Sequence, residues 1–264
     1  MIVENYDINY KYGQTIKIRP FFDVHWGNTY CDKRAFRSYL SEGDDTTYYM
    51  GGGDTLDSII TKDIRRYEKH ADETLGDAVI DEQVDSMLAE LIPYKDRILG
   101  LMRGNHEGAI LKYHGTDTVK RMCDVLGCKY LGYSGLLRLA LHENGARGRA
   151  IIIRYHHGWG GGSRTQGADI TKFSKDALHW DASVFLFGHV HKRQSDRIPR
   201  LGLVGNTLTA KPILLGICGT FLRTYSKTTD STYAEEKGYP PVEIGGIVLN
   251  LKPTDKFLDM WIDL

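Results

Sequence analysis

The sequence predicts an α/β protein, and two patterns support this. Short apolar runs rich in Ile, Val, Phe and Tyr have the length and composition of buried strands. Stretches between them, such as 77–92 before Pro93, place apolar residues at helical spacing. After residue 191 the chain becomes strand-rich, at 213–218, 246–251 and 257–262. These later strands predict a second sheet packed on the first.

The strands predicted in the first part of the chain each lead into a polar cluster. They lie at 16–22, 47–50, 98–102, 150–155 and 183–187. The clusters that follow them are Asp23-Val24-His25, Gly51-Gly52-Gly53-Asp54, Arg103-Gly104-Asn105-His106-Glu107, His156-His157-Gly158 and Gly188-His189-Val190-His191. Loops at the carboxyl ends of strands form the ligand site in α/β folds. We therefore expect the five clusters to meet in space.

Length and composition indicate an ordinary globular protein. The 264 residues contain no repeat, low-complexity tract or evident linker, which predicts one domain over 1–264. Lys and Arg number 34, as do Asp and Glu, so no net charge draws the chain to nucleic acid or an anionic membrane. No apolar run approaches the roughly 18 residues of a membrane span. The amino terminus shows no signal or transit peptide, so we expect a cytoplasmic location.

The side chains of the clusters suit divalent metal ions. Taken singly, an Asp-x-His or a His pair is more often a helix cap or a satisfied surface pair than a metal site. Together they offer carboxylate and amide oxygen and imidazole nitrogen without thiolate, a mixture suited to Mn²⁺, Fe²⁺, Co²⁺, Ni²⁺ or Zn²⁺. The ligands are too many for one ion. Two ions that share a carboxylate would use them all, an arrangement that activates water and binds phosphate oxygens.

In order, the five clusters resemble the signature blocks of the calcineurin-like metallophosphoesterase superfamily, over about residues 23 to 191. The resemblance implies a four-layer fold in which two mixed β-sheets pack face to face and helices lie outside. It also implies a hydrolase with two divalent ions, manganese being the expected metal, in which a metal-bridging hydroxide attacks phosphorus. The Gly-His-Val-His ending favours the nuclease and phosphodiesterase branches.

Each block implies a role for its residues. One metal would be bound by Asp23, His25 and His191. The second would be bound by Asn105, His189 and one histidine of the 156–157 pair. Asp54 would bridge both. His106 matches the histidine that does not bind metal but stabilises the phosphoryl charge or protonates the leaving oxygen, and Asp57 matches the acid that orients it.

The sequence leaves the histidine pair open. Blocks with His-His-Pro place the ligand first, whereas blocks with a lone His-Gly place it just before the glycine, and this chain fits both. We favour His156 over His157 as the ligand, because a side chain at a strand end is held more firmly than one in the following turn.

Two arginines are candidates for substrate binding. Arg103 resembles an arginine of phosphoprotein phosphatases that contacts phosphate, although position 58 is Ser where those enzymes carry a second arginine. Arg164 follows the glycine-rich loop 158–162 and could close on a phosphate. Each has a plain alternative, an ion pair for Arg103 and a flexible surface loop for Arg164.

We expect a phosphodiester substrate, as DNA, RNA or a nucleotide, and no membrane partner. A basic group after the last block would favour nucleic acid; it comprises Lys192, Arg193, Arg197 and Arg200. A phosphomonoesterase, either phosphatase-like or acting on a small molecule, is the alternative, and a non-catalytic protein-binding scaffold is a more distant one. The segment 220–264 either covers the site or completes the second sheet. The oligomeric state is left open.

Overall fold

The computed structural model describes residues 1–60, 78–225, 231–254 and 257–264. The strands are β1 (Ile2–Tyr10), β2 (Ile16–Phe21), β3 (Thr47–Gly52), β4 (Ile98–Met102), β5 (Lys129–Tyr130), β6 (Ser134–Glu143), β7 (Ala146–His156), β8 (Val184–Phe187), β9 (Arg193–Ile198), β10 (Leu201–Val204), β11 (Thr207–Ala210), β12 (Ile213–Cys218), β13 (Val248–Pro253) and β14 (Leu258–Asp263). The α-helices are α1 (Lys33–Ser41), α2 (Val79–Leu91), α3 (Asn105–His114), α4 (Thr118–Leu126), α5 (Ala168–Ser174) and α6 (Tyr233–Glu236). Short 3₁₀ helices span Ile92–Arg97 and Lys175–Leu178.

The strands form two six-stranded sheets and a separate hairpin of β10 and β11. The first sheet has the order β1-β6-β7-β8-β12-β9, and the second has the order β14-β13-β2-β3-β4-β5. Both are mixed, since β7 and β8 pair in parallel while β6 and β7 pair antiparallel, and β2 and β3 pair in parallel while β13 and β2 pair antiparallel. The late strands β13 and β14 therefore complete the second sheet.

Three buried clusters define four layers. The inner faces of both sheets share one core, to which Leu139 and Ile153 contribute from the first sheet and Ile18 and Leu249 from the second. The helices α1, α2 and α4 cover the outer face of the second sheet. Phe173 of α5 packs on the outer face of the first sheet. This is the four-layer α/β arrangement that the resemblance to calcineurin-like metallophosphoesterases implies.

Local sequence explains where the helices begin and end. The Asp32 carboxylate accepts from the Ala35 N–H at 3.0 Å and caps α1. The Asp117 carboxylate caps α4 in the same way, and Gly127 ends that helix in the left-handed conformation. The predicted helix over 77–92 corresponds to α2, and residue 77 lies outside the described residues. Within the described ranges, no helix combines the length and apolarity that a membrane span requires.

The strand ends bring the polar clusters to one end of the two sheets. β2, β3 and β4 run parallel, so their carboxyl ends lie at one edge of the second sheet. β7 and β8 do the same in the first sheet. Gly53 shows how closely the loops approach: it has a φ of +91°, and a Cβ there would lie 2.7 Å from His157 Nδ1. Only glycine fits this contact.

The outer core of the second sheet offers a test of the packing. The Phe36 ring is fully buried and lies against Phe21, Trp26 and Phe221, with centroid separations of 5.6, 6.1 and 5.1 Å. We expect Phe36→Ala to lower the free energy of unfolding by about 3–5 kcal/mol, because it leaves a cavity. Denaturant unfolding measures the change. Leu178→Ala is the control, since this leucine is 82% exposed, and a loss of equal size in both variants would contradict the assigned core.

Candidate metal centre

The predicted ligands converge where the strands of both sheets end. Asp23 and His25 follow β2, and Asp54 follows β3. Asn105 opens α3 directly after β4. The remaining histidines follow β7 and β8 in the first sheet, so each sheet contributes one side of the centre.

Asp23, His25 and His191 form a first group of side chains. Their candidate ligand atoms all lie within 4.8 Å of one another. His25 Nε2 lies 3.1 Å from His191 Nε2, and His191 Nε2 lies 3.6 Å from Asp23 Oδ1. Asp23 and His25 are almost completely buried, whereas the His191 side chain is 27% exposed at the cavity. These are the three residues expected at one metal.

Asp54, His157 and His189 form a second group of the same size. His157 Nε2 lies 3.3 Å from Asp54 Oδ2 and 3.1 Å from Asn105 Oδ1. The same nitrogen is 4.0 Å from Asp23 Oδ1, so the second group adjoins the first. The expected residues other than His156 are therefore brought together in two neighbouring groups.

Hydrogen bonding shows that this donor set fits cations. His157 Nδ1 lies 3.0 Å from the Gly52 carbonyl, which can only accept, so Nδ1 carries a proton. The other ring nitrogen, Nε2, faces oxygen atoms and carries either a lone pair or a second proton. His25 Nδ1 lies 3.1 Å from Asp57 Oδ1, which leaves its Nε2 facing another imidazole. Asp23 Oδ1 is buried and has no hydrogen-bond partner among the described residues. Acceptor atoms that face each other in this way require protons or cations between them.

Burial and mutual charge shift the acidities of the site. Burial raises the pKa of the Asp23 carboxyl to about 7, against the opposing effect of His157. Burial would also raise the pKa of Asp54, but the neighbouring histidines, His157 foremost, hold it well below its usual range. Burial alone would lower the pKa of His157, yet Asp54 outweighs it and raises that pKa to about 10. A proton on His157 and a divalent cation exclude each other, since metal ligands must be deprotonated.

Strained backbone is concentrated at the candidate ligands. Among the described residues, seven that are not glycine have a positive φ, and five of them are candidate ligands. The five are Asp23, His25, Asp54, His189 and His191, with φ between 49° and 71°. This conformation costs of order 1 kcal/mol or more per residue and persists only where the surroundings enforce it. The backbone is held in the conformation that points these side chains at one another.

Backbone and carboxylate contacts hold these loops. Asp23 Oδ2 accepts from the His189 N–H at 2.7 Å, which ties the loop after β2 to the loop after β8. The buried Glu107 carboxylate accepts from the backbone N–H groups of Asp54, Leu56 and Gly104 at 3.1, 3.0 and 2.9 Å. The sequence reasoning missed this role of Glu107. Its place three residues after Gly104, as in a helix-capping glutamate, was the available signal.

The preference for His156 as a ligand is wrong in geometry, because the side chain that enters the cluster is that of His157. Side chains alternate along β7: Tyr155 lies in the core between the sheets, His156 turns outward, and His157 turns inward again. The His156 ring lies 4.9 Å from the Trp159 ring, and its Nδ1 accepts from the Gly158 N–H at 2.9 Å. The alternation of side chains along the strand therefore places His157, and not His156, beside the other candidate ligands.

Asp57 contacts His106 through its backbone carbonyl, whereas we expected the contact through its carboxylate. The Asp57 carboxylate is 3.1 Å from His25 Nδ1 and 3.9 Å from His106 Nδ1. His106 instead donates from Nδ1 to the Asp57 backbone carbonyl. Asp57 therefore orients both imidazoles, His25 through its carboxylate and His106 through its main chain.

The two arginines expected to bind substrate lie elsewhere. Arg103 Nη1 is 3.9 Å from Asp117 Oδ2, the ion-pair alternative. Arg164 is exposed and donates from Nη2 to the Lys237 carbonyl at 2.9 Å. Neither is among the described residues that line the cavity beside the candidate ligands. Their sequence positions next to the blocks do not bring their side chains into the site.

No protein-family model matches the sequence, and no curated protein matches it. The structure is similar to a conserved Streptococcus pneumoniae protein described as a predicted phosphoesterase, at 15% identity over 94% of this chain and 89% of that chain, with a TM-score of 0.33. It is also similar to vacuolar protein sorting 29 of Cryptosporidium parvum, at 12% identity over 96% and 98%, with a TM-score of 0.36. Wild-type Vps29 of Entamoeba histolytica, complexed with Zn²⁺, matches at 11% identity over 95% and 98%, with a TM-score of 0.33. At these sequence identities and TM-scores, the function of this chain has to be inferred from its own side chains.

The histidine pair gives a direct test of the metal centre. We expect His157→Ala to lose one of two bound metal ions, since its Nε2 faces Asp54 and Asn105. His156→Leu should keep both, because its ring packs on aromatic side chains outside the cluster. Metal content after manganese loading and gel filtration, read by mass spectrometry, separates the two. Equal metal loss from both variants would contradict the assignment of His157.

Proposed function

We propose that this chain is a two-metal phosphoesterase of the calcineurin-like type that hydrolyses phosphodiesters. The observation that carries the proposal is the pair of adjoining, buried groups of carboxylate and imidazole ligands. His106 lies beside them, in a further group with His25 and Asp57, and the Asp57 carboxylate of that group is 3.1 Å from His25 Nδ1. Two ligand groups side by side favour a metal pair rather than a single structural ion.

Each ligand group would hold one cation. Asp23, His25 and His191 would bind the first. His157, His189 and Asn105 would bind the second, and Asp54 would be shared. Oxygen and imidazole ligands favour manganese, with iron, cobalt, nickel and zinc as chemically reasonable occupants. Bound there, the two ions would supply an acidified water and positive charge beside the phosphoryl oxygens.

The proposed role of His106 is proton donation to the leaving oxygen. Its Nδ1–H is engaged by the Asp57 carbonyl, which fixes the ring with Nε2 as the exchangeable position. The Nε2 atom lies 3.9 Å from Asp54 Oδ2, close to the ligands, and His106 lines the cavity. Because His106 lies at the start of α3, the amino-terminal end of that helix would face a phosphoryl group bound beside it.

Hydrolysis of bis(4-nitrophenyl) phosphate by the manganese-loaded protein tests the proposal. We expect turnover that a chelator abolishes and that added manganese restores. A manganese-loaded protein that hydrolyses neither this diester nor 4-nitrophenyl phosphate, a nucleotide or an oligonucleotide would contradict the function.

A separate variant tests His106. With a diester that has a poor leaving group, we expect His106→Gln to retain both metal ions yet to lose about 10²–10⁴-fold in kcat, the usual loss for a missing general acid. His179→Gln, at an exposed histidine outside the site, is the matched control and should behave as the wild type. Loss of a metal ion from His106→Gln would show that His106 is a ligand instead.

A further inference from the structure

A cavity of about 310 Å³ adjoins the candidate ligands, and His25, Asp54 and His106 are among the residues that line it. Its lining also includes six apolar residues, here called the apolar wall: Ile59, Val190, Leu222, Ala234, Pro240 and Val242. Val190 lies within the last sequence block, and the other five lie outside the blocks. Its volume lies at the lower end of the range of small-molecule sites.

The described residues after β12, at 219–225 and 231–242, supply four of the six residues of the apolar wall, and the first of these ranges is hydrogen-bonded to the loops that carry the candidate ligands. The Phe221 N–H donates to the Asp23 carbonyl at 3.1 Å, and the Thr220 hydroxyl donates to the same oxygen at 2.8 Å. The Arg223 N–H donates to the Tyr30 carbonyl at 3.0 Å. The segment thus covers one side of the cavity as well as leading into the second sheet.

Three of the four cations in the basic group after the last block lie beside carboxylates, and the fourth, Arg197, is exposed. Lys192 lies 2.8 Å from the buried Asp169 carboxylate and donates to the Ser163 carbonyl at 2.6 Å. Arg193 pairs with Glu243, and Arg200 lies 3.7 Å from Asp181. Paired cations attract a phosphate backbone weakly. The charges beside the cavity therefore do not favour a polynucleotide.

Asn28 supplies an unused donor at the ligand end of the cavity. Its side chain is 8% exposed and lines the cavity beside His25. Its Oδ1 accepts from the Tyr30 N–H at 2.9 Å, which fixes the orientation of the amide. Its Nδ2 has no hydrogen-bond partner in the part of the chain that the structure describes. Because Asn28 lines the cavity, this amide nitrogen can donate to a ligand bound there.

We propose that this cavity selects small phosphodiesters whose alcohol group is compact and apolar, with the Asn28 amide donating to the phosphoryl group. The inference rests on the proposed function. The apolar wall takes the alcohol group, Asn28 holds a phosphoryl oxygen, and the candidate ligands lie on the opposite side of that group. A polynucleotide would require a longer opening and unpaired cations along it.

Two phosphinates that cannot be hydrolysed test binding to the apolar wall separately from binding of the anion beside the candidate ligands. Dibenzylphosphinate carries two large apolar groups, dimethylphosphinate carries only two methyl groups, and both present the same phosphinate anion. In the manganese-loaded protein, measured by calorimetry, we expect the dibenzyl compound to bind at least about tenfold more tightly, because its rings bury apolar area. We expect Val242→Trp to abolish this preference by filling the pocket while dimethylphosphinate binds as before. Val125→Trp, on the exposed face of α4, is the control.

A second variant tests the contribution of the Asn28 amide donor alone. In Asn28→Ser a hydroxyl can still accept from the Tyr30 N–H, but the amide donor is lost. We expect both phosphinates to bind about tenfold more weakly, as for a lost hydrogen bond to a charged group. Asn9→Ser, at an exposed residue of β1, should bind both as the wild type does.

The outcomes distinguish this inference from the function on which it rests. Equal dibenzylphosphinate binding by Val242→Trp and Val125→Trp, or faster hydrolysis of a linear oligonucleotide than of bis(4-nitrophenyl) phosphate, would overturn the selectivity while leaving a phosphoesterase. Unchanged phosphinate binding in Asn28→Ser would remove Asn28 from the pocket. A wild-type protein that binds neither phosphinate and hydrolyses no phosphate ester would overturn the function itself.

Discussion

The burial of two neighbouring carboxylates is the constraint around which this molecule is arranged. Asp23 and Asp54 are at most 1% exposed, and burying a carboxylate is costly unless positive charge or hydrogen-bond donors surround it. The backbone N–H groups of His189 and His106 each reach one oxygen, which is too little compensation for two charges. The neighbouring imidazoles provide the remainder, and they are the ligands of the cations proposed above.

The fold makes that arrangement possible because its two sheets deliver ligands from opposite sides. The second sheet contributes the carboxylates and Asn105, and the first sheet contributes three of the histidines. Neither sheet alone could surround a cation pair. Strained turns at Asp23, Asp54 and His189 are tolerated because Glu107 and the cross-loop hydrogen bonds hold the loops on a rigid scaffold. The same rigidity leaves one open side, where the segment after β12 shapes the cavity.

The sequence predicts most strands of the two sheets and most of the candidate ligands, because both depend on local patterns. The strands at 98–102 and 213–218 have the predicted bounds, since continuous apolar runs bounded by polar residues leave little choice. The edge strand β1 was missed, since its residues alternate with exposed polar side chains and carry no apolar run. The sequence could not decide in which direction some of the side chains point. The side on which His156 and His157 emerge follows from strand alternation, and the pairing of Arg103 with Asp117 depends on contacts distant in sequence.

Anomalous diffraction at the manganese edge, from crystals grown with that metal, shows directly whether the buried groups bind two cations. We expect two peaks about 3.5–4 Å apart. One should lie among Asp23, His25 and His191, and the other among Asn105, His157 and His189, with Asp54 between them. A single peak elsewhere, or none at full manganese occupancy in solution, would contradict the claim that these buried groups exist to hold a pair of cations.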